Sequence, residues 1–342
     1  MSAEILGRAA RGEPLSRAEA AGFLRAFARG EAGPEALASL LTALHIRGET
    51  TEVLLGFADV AREEMVPAPV RSEGALDLCG TGGDGQGTVN LSTAAAFVAA
   101  GAGARVAKHG NHAVSGRTGS ADVLAALGLR VRLSPEEAAR CVDEAGLGFL
   151  YAPVHHPLFA KVGPVRRALG FRTAFNLLGP LCNPASVRRQ VVGAASPEAA
   201  RLMAEALSRL GVERAWVVHT PGPYDEVSLT APCEVLSVEK GGVTAGTLTP
   251  KDFGAGIISP ESLAGGDAAH NAARIEAVLA GETSPLTDAV CANAACALVV
   301  AGLAGNPREG FERARAAVAS GEARRTLERL RKRVGEAGRV LA

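Results

Sequence analysis

No Cys-x-x-Cys pair and no His-Glu-x-x-His run occurs anywhere in the 342 residues. The six cysteines, Cys79, Cys141, Cys182, Cys233, Cys291 and Cys296, follow no even framework spacing. They read as buried thiols rather than zinc ligands or disulfides. No apolar run is long and charge-free enough to span a bilayer. The opening Met1-Ser2-Ala3-Glu4 lacks the basic-then-apolar layout of a secretion signal. Together these absences predict a cytoplasmic protein with no membrane partner. An excess of charge is missing too, since Lys plus Arg and Asp plus Glu each number 36. A nucleic-acid partner is therefore not expected, and the one dense basic stretch, Arg324 to Arg333, reads as a solvated helix face.

What is present is a 47% hydrophobic complement, enough for a large core, in a chain long enough for one large domain or a large and a small one. There is no internal repeat and no low-complexity tract. The first 65 or so residues read as helical. Ser16-Arg17-Ala18-Glu19 is a capping box opening a helix to about Arg29. Pro34 opens a second helix that Gly48 stops, and residues 51–64 form a third, before Pro67-Ala68-Pro69 breaks the pattern.

From residue 75 the rhythm changes to strands alternating with helices. Strands are predicted over residues 75–79, 105–107, 129–133, 148–151, 190–194 and 215–219. Helices are predicted at 94–100, 121–127 and 134–145, and from near Pro157 and Ser196. This alternation argues for a mostly parallel sheet with helices on both faces. Residues 226–249 read as added antiparallel hairpin strands, and the chain from about Ala268 as helical.

Chemistry concentrates in three loops that follow strands, so they are expected to share one rim of the sheet. Gly80-Thr81-Gly82-Gly83-Asp84-Gly85, then Asn90-Leu91-Ser92-Thr93, reads as strand, glycine loop and helix N-terminus. Such a turn points free N–H groups toward an anion; taken alone it is equally a tight turn that tolerates glycine. Lys108-His109-Gly110-Asn111 and residues 115–122 form a second polar loop, entering a helix capped by Ser120. Only 5 of the 36 basic residues are lysine, which sharpens the interest of Lys108. Asp225-Glu226 offers two adjacent carboxylates, either surface decoration or, beside a phosphate, Mg²⁺ ligands.

In order and spacing these motifs, with Phe175-Asn176-Leu177-Leu178-Gly179-Pro180-Leu181-Cys182-Asn183-Pro184, resemble the anthranilate phosphoribosyltransferase family over nearly the whole chain. The resemblance implies a small all-helical N-terminal domain, residues 1–68, joined also by a segment near 157–185. A larger α/β domain with a mostly parallel, mixed sheet would take residues 69–342. It implies a homodimer through the helical domain and a place in tryptophan biosynthesis. Gly80, Gly83, Asp84, Thr88, Asn90, Leu91, Ser92, Thr93, Lys108 and Ser120 would bind phosphoribosyl pyrophosphate. Ser92, Asp225 and Glu226 would hold Mg²⁺. Gly80, Asn111 and Arg166 would meet anthranilate, whose carboxylate suits a guanidinium fork. Without the resemblance, Arg166 reads as a surface helix residue.

The implied reaction is attack of the anthranilate amine on C1 of the donor sugar with loss of pyrophosphate. An aromatic amine is nucleophilic when neutral, so no acid/base dyad is demanded; His109 is the one candidate. Two rivals are a pyrimidine nucleoside phosphorylase, which needs no magnesium pair, and a non-catalytic relative binding nucleic acid through the basic C-terminal helix.

Overall fold

The structure, a computed structural model, describes residues 2–82, 87–113, 118–222 and 224–337. Four helices come first: α1 (Ser2–Arg11), α2 (Arg17–Ala28), α3 (Pro34–Arg47) and α4 (Thr51–Glu63). Their ends follow the local code. Ser16 and Glu19 form the reciprocal capping box of α2, Pro34 occupies the first turn of α3, and the Thr50 side chain caps α4. Phe23, Leu24, Leu37, Leu40, Leu41, Leu54, Leu55 and Phe57 are sealed between them. Each such side chain contributes roughly 1.5–3 kcal/mol of burial.

The remainder alternates as expected. It runs β1 (Leu76–Gly80), α5 (Leu91–Gly101), β2 (Val106–Gly110), α6 (Ser120–Ala126), α7 (Pro135–Arg140), β3 (Leu147–Tyr151), α8 (Ala152–His155), α9 (Pro157–Leu169), α10 (Phe175–Leu178), β4 (Arg189–Gly193), α11 (Pro197–Arg209) and β5 (Arg214–His219). A hairpin of β6 (Cys233–Glu239) and β7 (Gly242–Leu248) follows, then α12 (Pro250–Phe253), α13 (Ala268–Leu279), α14 (Pro285–Ala301), α15 (Pro307–Ala319) and α16 (Glu322–Ala337). Among the described residues the strands form one seven-stranded sheet in the order β3-β2-β1-β4-β5-β6-β7. β1 to β5 are parallel, and β6 and β7 add on antiparallel. This is a small helical domain beside a larger α/β domain with a mixed sheet.

Two cores hold the molecule. One packs α5, α13, α14, α15 and α16 on one face of the sheet, with α5 and α14 buried along most of their length. The other joins the four N-terminal helices to α9, α10, α11 and the opposite face, through Val192, Ala215, Val217 and Val238. Leu158, Val162 and Val165 of α9 belong to it. The helical domain is therefore seated on the sheet by continuous apolar packing, reinforced by Arg62 Nε on Leu181 O at 2.7 Å.

Four local readings need correction. Residues 129–133 form no strand, because they lie outside the sheet beyond α6 and find no neighbour to pair with; Leu129 and Leu133 simply plug the core. Lys108 to Gly110 belong to β2 rather than to a loop, paired with β3 as far as Tyr151. Ser120 is the first residue of α6 and Gly119 is its cap, with Asp122 Oδ2 accepting from Gly119 N at 2.8 Å. The helix expected to reach residue 145 is α-helical only to Arg140, then widens into a π turn over Cys141–Ala145. Several arginines of the basic stretch in α16 are paired: Arg324, Arg325, Arg331 and Arg333 meet Glu328, Glu322, Glu276 and Glu144.

Candidate active site

The carboxyl ends of β1 and β2, with Asp225 and Glu226 from the loop after β5, open into one cleft of about 790 Å³ flanked by the α8–α10 segment. Gly80, Thr88, Asn90, Ser92, Thr93, Lys108, His109, Asn111, Ser120, Arg166, Asp225 and Glu226 all line it. Leu91 does not; its side chain is fully buried in the core, leaving only main chain at the start of α5. Gly83 and Asp84 lie outside the described residues.

One end of the cleft is built for an anion and a hard cation. The N-terminus of α5 faces it, and the first-turn N–H groups of a helix carry partial positive charge. Glu226 Oε1 accepts from Ser92 N at 2.8 Å, so a carboxylate already sits where those groups converge. Asp225 Oδ2 accepts from Gly82 N at 3.0 Å. A Cβ on Gly80 would meet that same oxygen at 2.5 Å, so glycine is what lets the carboxylate approach β1. Asn293 of α14 braces the carboxylate loop, bonding Val227 through both its amide N–H and its oxygen.

Below this rim two ionisable side chains, Lys108 and Asp77, are buried without touching each other. Lys108 Nζ donates to Leu78 O and to Ser92 Oγ, the latter at 3.3 Å. Burial pushes the Lys108 ammonium down from its ordinary pKa, and Asp77, Cys79, Glu226 and Asp225 pull it back up. Asp77, wholly enclosed in β1, accepts from His109 N at 3.1 Å and from Asn183 Nδ2 at 2.8 Å. Burial raises its pKa, opposed by Lys108. Asn90 spends its amide on structure, bonding Thr118 O at 3.1 Å and Asn271 Nδ2 at 3.0 Å.

The other end is apolar with one cationic flank. Ala152, Phe159, Phe175, Gly179 and Pro180 make a wall suited to a flat ring. His109 Nδ1 meets Gly179 O at 3.1 Å and its Nε2 is buried without a partner among the described residues. Burial, then the neighbouring His156, lowers the His109 pKa to about 3, so the imidazole is neutral near pH 7. Arg166 is half-buried, and burial and then Arg172 depress its pKa. Two neighbouring guanidinium groups at an apolar wall favour a carboxylate there.

Ser92, Asp225 and Glu226 are hard oxygen donors, which fits magnesium better than a transition metal. Among the described residues no group of three or more His, Cys, Asp or Glu gathers to hold an ion. Two carboxylates and a hydroxyl suit a cation that also takes phosphate and water oxygens.

Sequence reasoning missed Arg172, Asp77 and the His112–Asp122 pair, joined through Nδ1 and Oδ1 at 2.5 Å. Asp77 carried a readable signal, a lone carboxylate within an apolar strand. Arg172 carried none.

Residues 3–65 match the helical bundle domain of the glycosyl transferase family and residues 72–324 match its a/b domain. Fold and cleft thus define a glycosyl transferase. The chain is 51% identical to the anthranilate phosphoribosyltransferase of Rubrobacter xylanophilus, over 96% of each. The crystal structure of the enzyme from Thermus thermophilus is similar with a TM-score of 0.90 and 44% identity, covering 96% of this chain and 99% of that one. The chain belongs to the anthranilate phosphoribosyltransferase family. The Saccharomyces cerevisiae enzyme, 27% identical with a TM-score of 0.88 over 98% of both chains, has been solved in complex with PRPP and Mg. It has also been solved with 4-fluoroanthranilate.

Proposed function

We propose that this cleft transfers the phosphoribosyl group of 5-phosphoribosyl 1-pyrophosphate to the amine of anthranilate, releasing pyrophosphate, in a Mg²⁺-dependent reaction. The observation that carries the reading is the meeting of the Asp225 and Glu226 carboxylates with the Gly82 and Ser92 N–H groups at the mouth of α5.

Ser92, Asp225 and Glu226 are the residues to hold Mg²⁺, which when bound supplies Lewis-acid neutralisation of the departing pyrophosphate. The chain's own part is positional and electrostatic. The start of α5, with Thr88, Ser92 and Thr93, cradles the anionic donor, and Lys108 lends positive charge from beneath. Ser120 takes the second phosphate, and Gly80 and Asn111 meet the acceptor. Arg166 forks onto the anthranilate carboxylate while Phe159, Phe175 and Pro180 flank its ring. His109 stays neutral, so it accepts a hydrogen bond from the attacking amine without charging the pocket. The C1–pyrophosphate bond breaks through an oxocarbenium-like state, the C1–N bond forms, and the amine proton leaves to solvent.

Closure of the helical domain, residues 1–68, on the α/β domain, residues 69–342, would bring acceptor and donor together and exclude water. The same reading includes a cytoplasmic homodimer formed through the helical domain, where Ile46 is 75% exposed. No helix among the described residues is long and apolar enough to cross a membrane. The test is anthranilate fluorescence. It should fall on adding donor with Mg²⁺ and stay constant with a chelator; well-folded protein that leaves it unchanged with both present would refute the reading.

A further inference from the structure

The segment between α9 and α10 touches both halves of the molecule with consecutive residues. Phe171 stacks on His45 of α3, ring centroids 4.4 Å apart and planes 27° apart. Arg172 reaches the opposite way, into the cleft. Its Nη1 donates to Gly82 O and its Nη2 to Thr81 O, the latter at 3.3 Å. Gly170, in the left-handed conformation that ends α9, turns the chain so that neighbours diverge. Asn176 Oδ1 holds Thr173 N at 2.9 Å and fixes the far end of the segment.

Gly82 receives Arg172 on its carbonyl and gives its N–H to Asp225 Oδ2 at 3.0 Å. One residue therefore links the guanidinium to a carboxylate of the cation site. Thr81 is pinned from the other side, its N donating to Gly193 O at 2.8 Å, so the clasp acts on a peptide that is already tethered at one end.

We propose that Arg172 is a positioning residue that sets the Asp225 carboxylate through Gly82, and that its Phe171 neighbour ties this setting to the helical domain. The inference rests on the phosphoribosyl-transfer reading and deepens it. A guanidinium suits the task because its planar fork meets two successive carbonyls at once, whereas an ammonium meets one. The chain runs from His45 and Phe171 through Arg172 and Gly82 to Asp225. Seating of the helical domain is thus felt at the cation site without any residue of α1–α4 entering it.

The rival role for Arg172 is direct contact with the acceptor carboxylate beside Arg166. The two roles separate in the measurement. Phosphoribosyl pyrophosphate is titrated calorimetrically into the full chain at a series of Mg²⁺ concentrations, and steady-state KM for anthranilate is measured in parallel. Arg172→Gln should need about tenfold more Mg²⁺ for half-maximal donor uptake, with KM for anthranilate within about twofold. Arg172→Lys should recover part of the loss. Phe171→Ala, outside the cleft, should shift the Mg²⁺ requirement about threefold in the same direction, and it decides the matter if Arg172→Gln does not melt cooperatively. Unchanged donor uptake in folded variants, or a change confined to KM for anthranilate, would overturn the proposal. Absence of donor uptake by the unsubstituted chain would instead overturn the function on which it rests.

Discussion

Gly193, the last residue of β4, lies directly under the main-chain carbonyl of Asp225: a Cβ built on it would sit 1.5 Å from that oxygen. The obstacle is main chain on both sides, so neither partner can swing away cheaply. Gly193→Ala should displace the Asp225–Glu226 loop and cost about 1–3 kcal/mol in overpacking. Donor affinity should fall more than stability warrants. A chemical-denaturation curve together with donor titration checks this, and wild-type values in both would contradict the placement.

Asp225→Asn with Glu226→Gln keeps shape and hydrogen-bond acceptors but removes both negative charges. Turnover should fall about 10²–10³-fold, the scale of losing one aimed electrostatic group at a transition state. The melting temperature should move by only a few degrees. Full turnover with magnesium in that double variant would count against the cation site.

Acid should destabilise the fold before it protonates most carboxylates. Burial, then the neighbouring His156, holds the His109 pKa at about 3, and burial, then His155, holds that of His156 at about 4. An unfolded histidine takes its proton near 6.5. Below about 6.5 the unfolded chain therefore binds more protons, and stability is lost as pH falls from there towards about 4. Each histidine accounts for about 2 kcal/mol at about pH 5. The His156 ring nitrogens make no well-formed hydrogen bond among the described residues beyond an approach to the Cys182 backbone, and the ring stacks on Phe159 at 4.6 Å. His156→Phe should therefore fold and show a shallower drop in melting temperature between about pH 7.5 and 5; an unaltered slope would contradict it.

Asp77 and Lys108 are both buried and act on each other through space, without a direct ion pair. Removing the Asp77 carboxylate takes an opposing charge away from Lys108 and weakens the bonds from His109 N and Asn183 Nδ2, at a cost of about 1–3 kcal/mol. Asp77→Asn should show that loss in denaturant. Asp77→Asn with Lys108→Met should regain part of it without regaining activity. Additive losses in the double variant would show that the two do not interact.

Much of the architecture was legible because local rules and tertiary packing agree. The Ser16–Glu19 box, the Pro34 start and the strand-then-glycine pattern at Gly80 each mark an element that packing then keeps. Residues 129–133 misled because strand propensity counts only where a neighbouring strand is at hand. Lys108 looked like loop chemistry because a lysine in a strand reads as exposed; here Asp77 and Leu78 O make its burial tolerable. Arg172 was invisible for another reason. Its partners lie about ninety residues away, and nothing in its own neighbourhood distinguishes it from a surface arginine.

The central claim is that Asp225, Glu226 and the start of α5 hold a diphosphorylated sugar together with magnesium. Calorimetric titration of phosphoribosyl pyrophosphate into the protein, with saturating Mg²⁺ and again with a chelator, tests it most directly. The account predicts saturable one-site uptake with Mg²⁺, lost with the chelator and in Glu226→Gln. Uptake that ignores both the chelator and that substitution, or no uptake by folded protein, would contradict it.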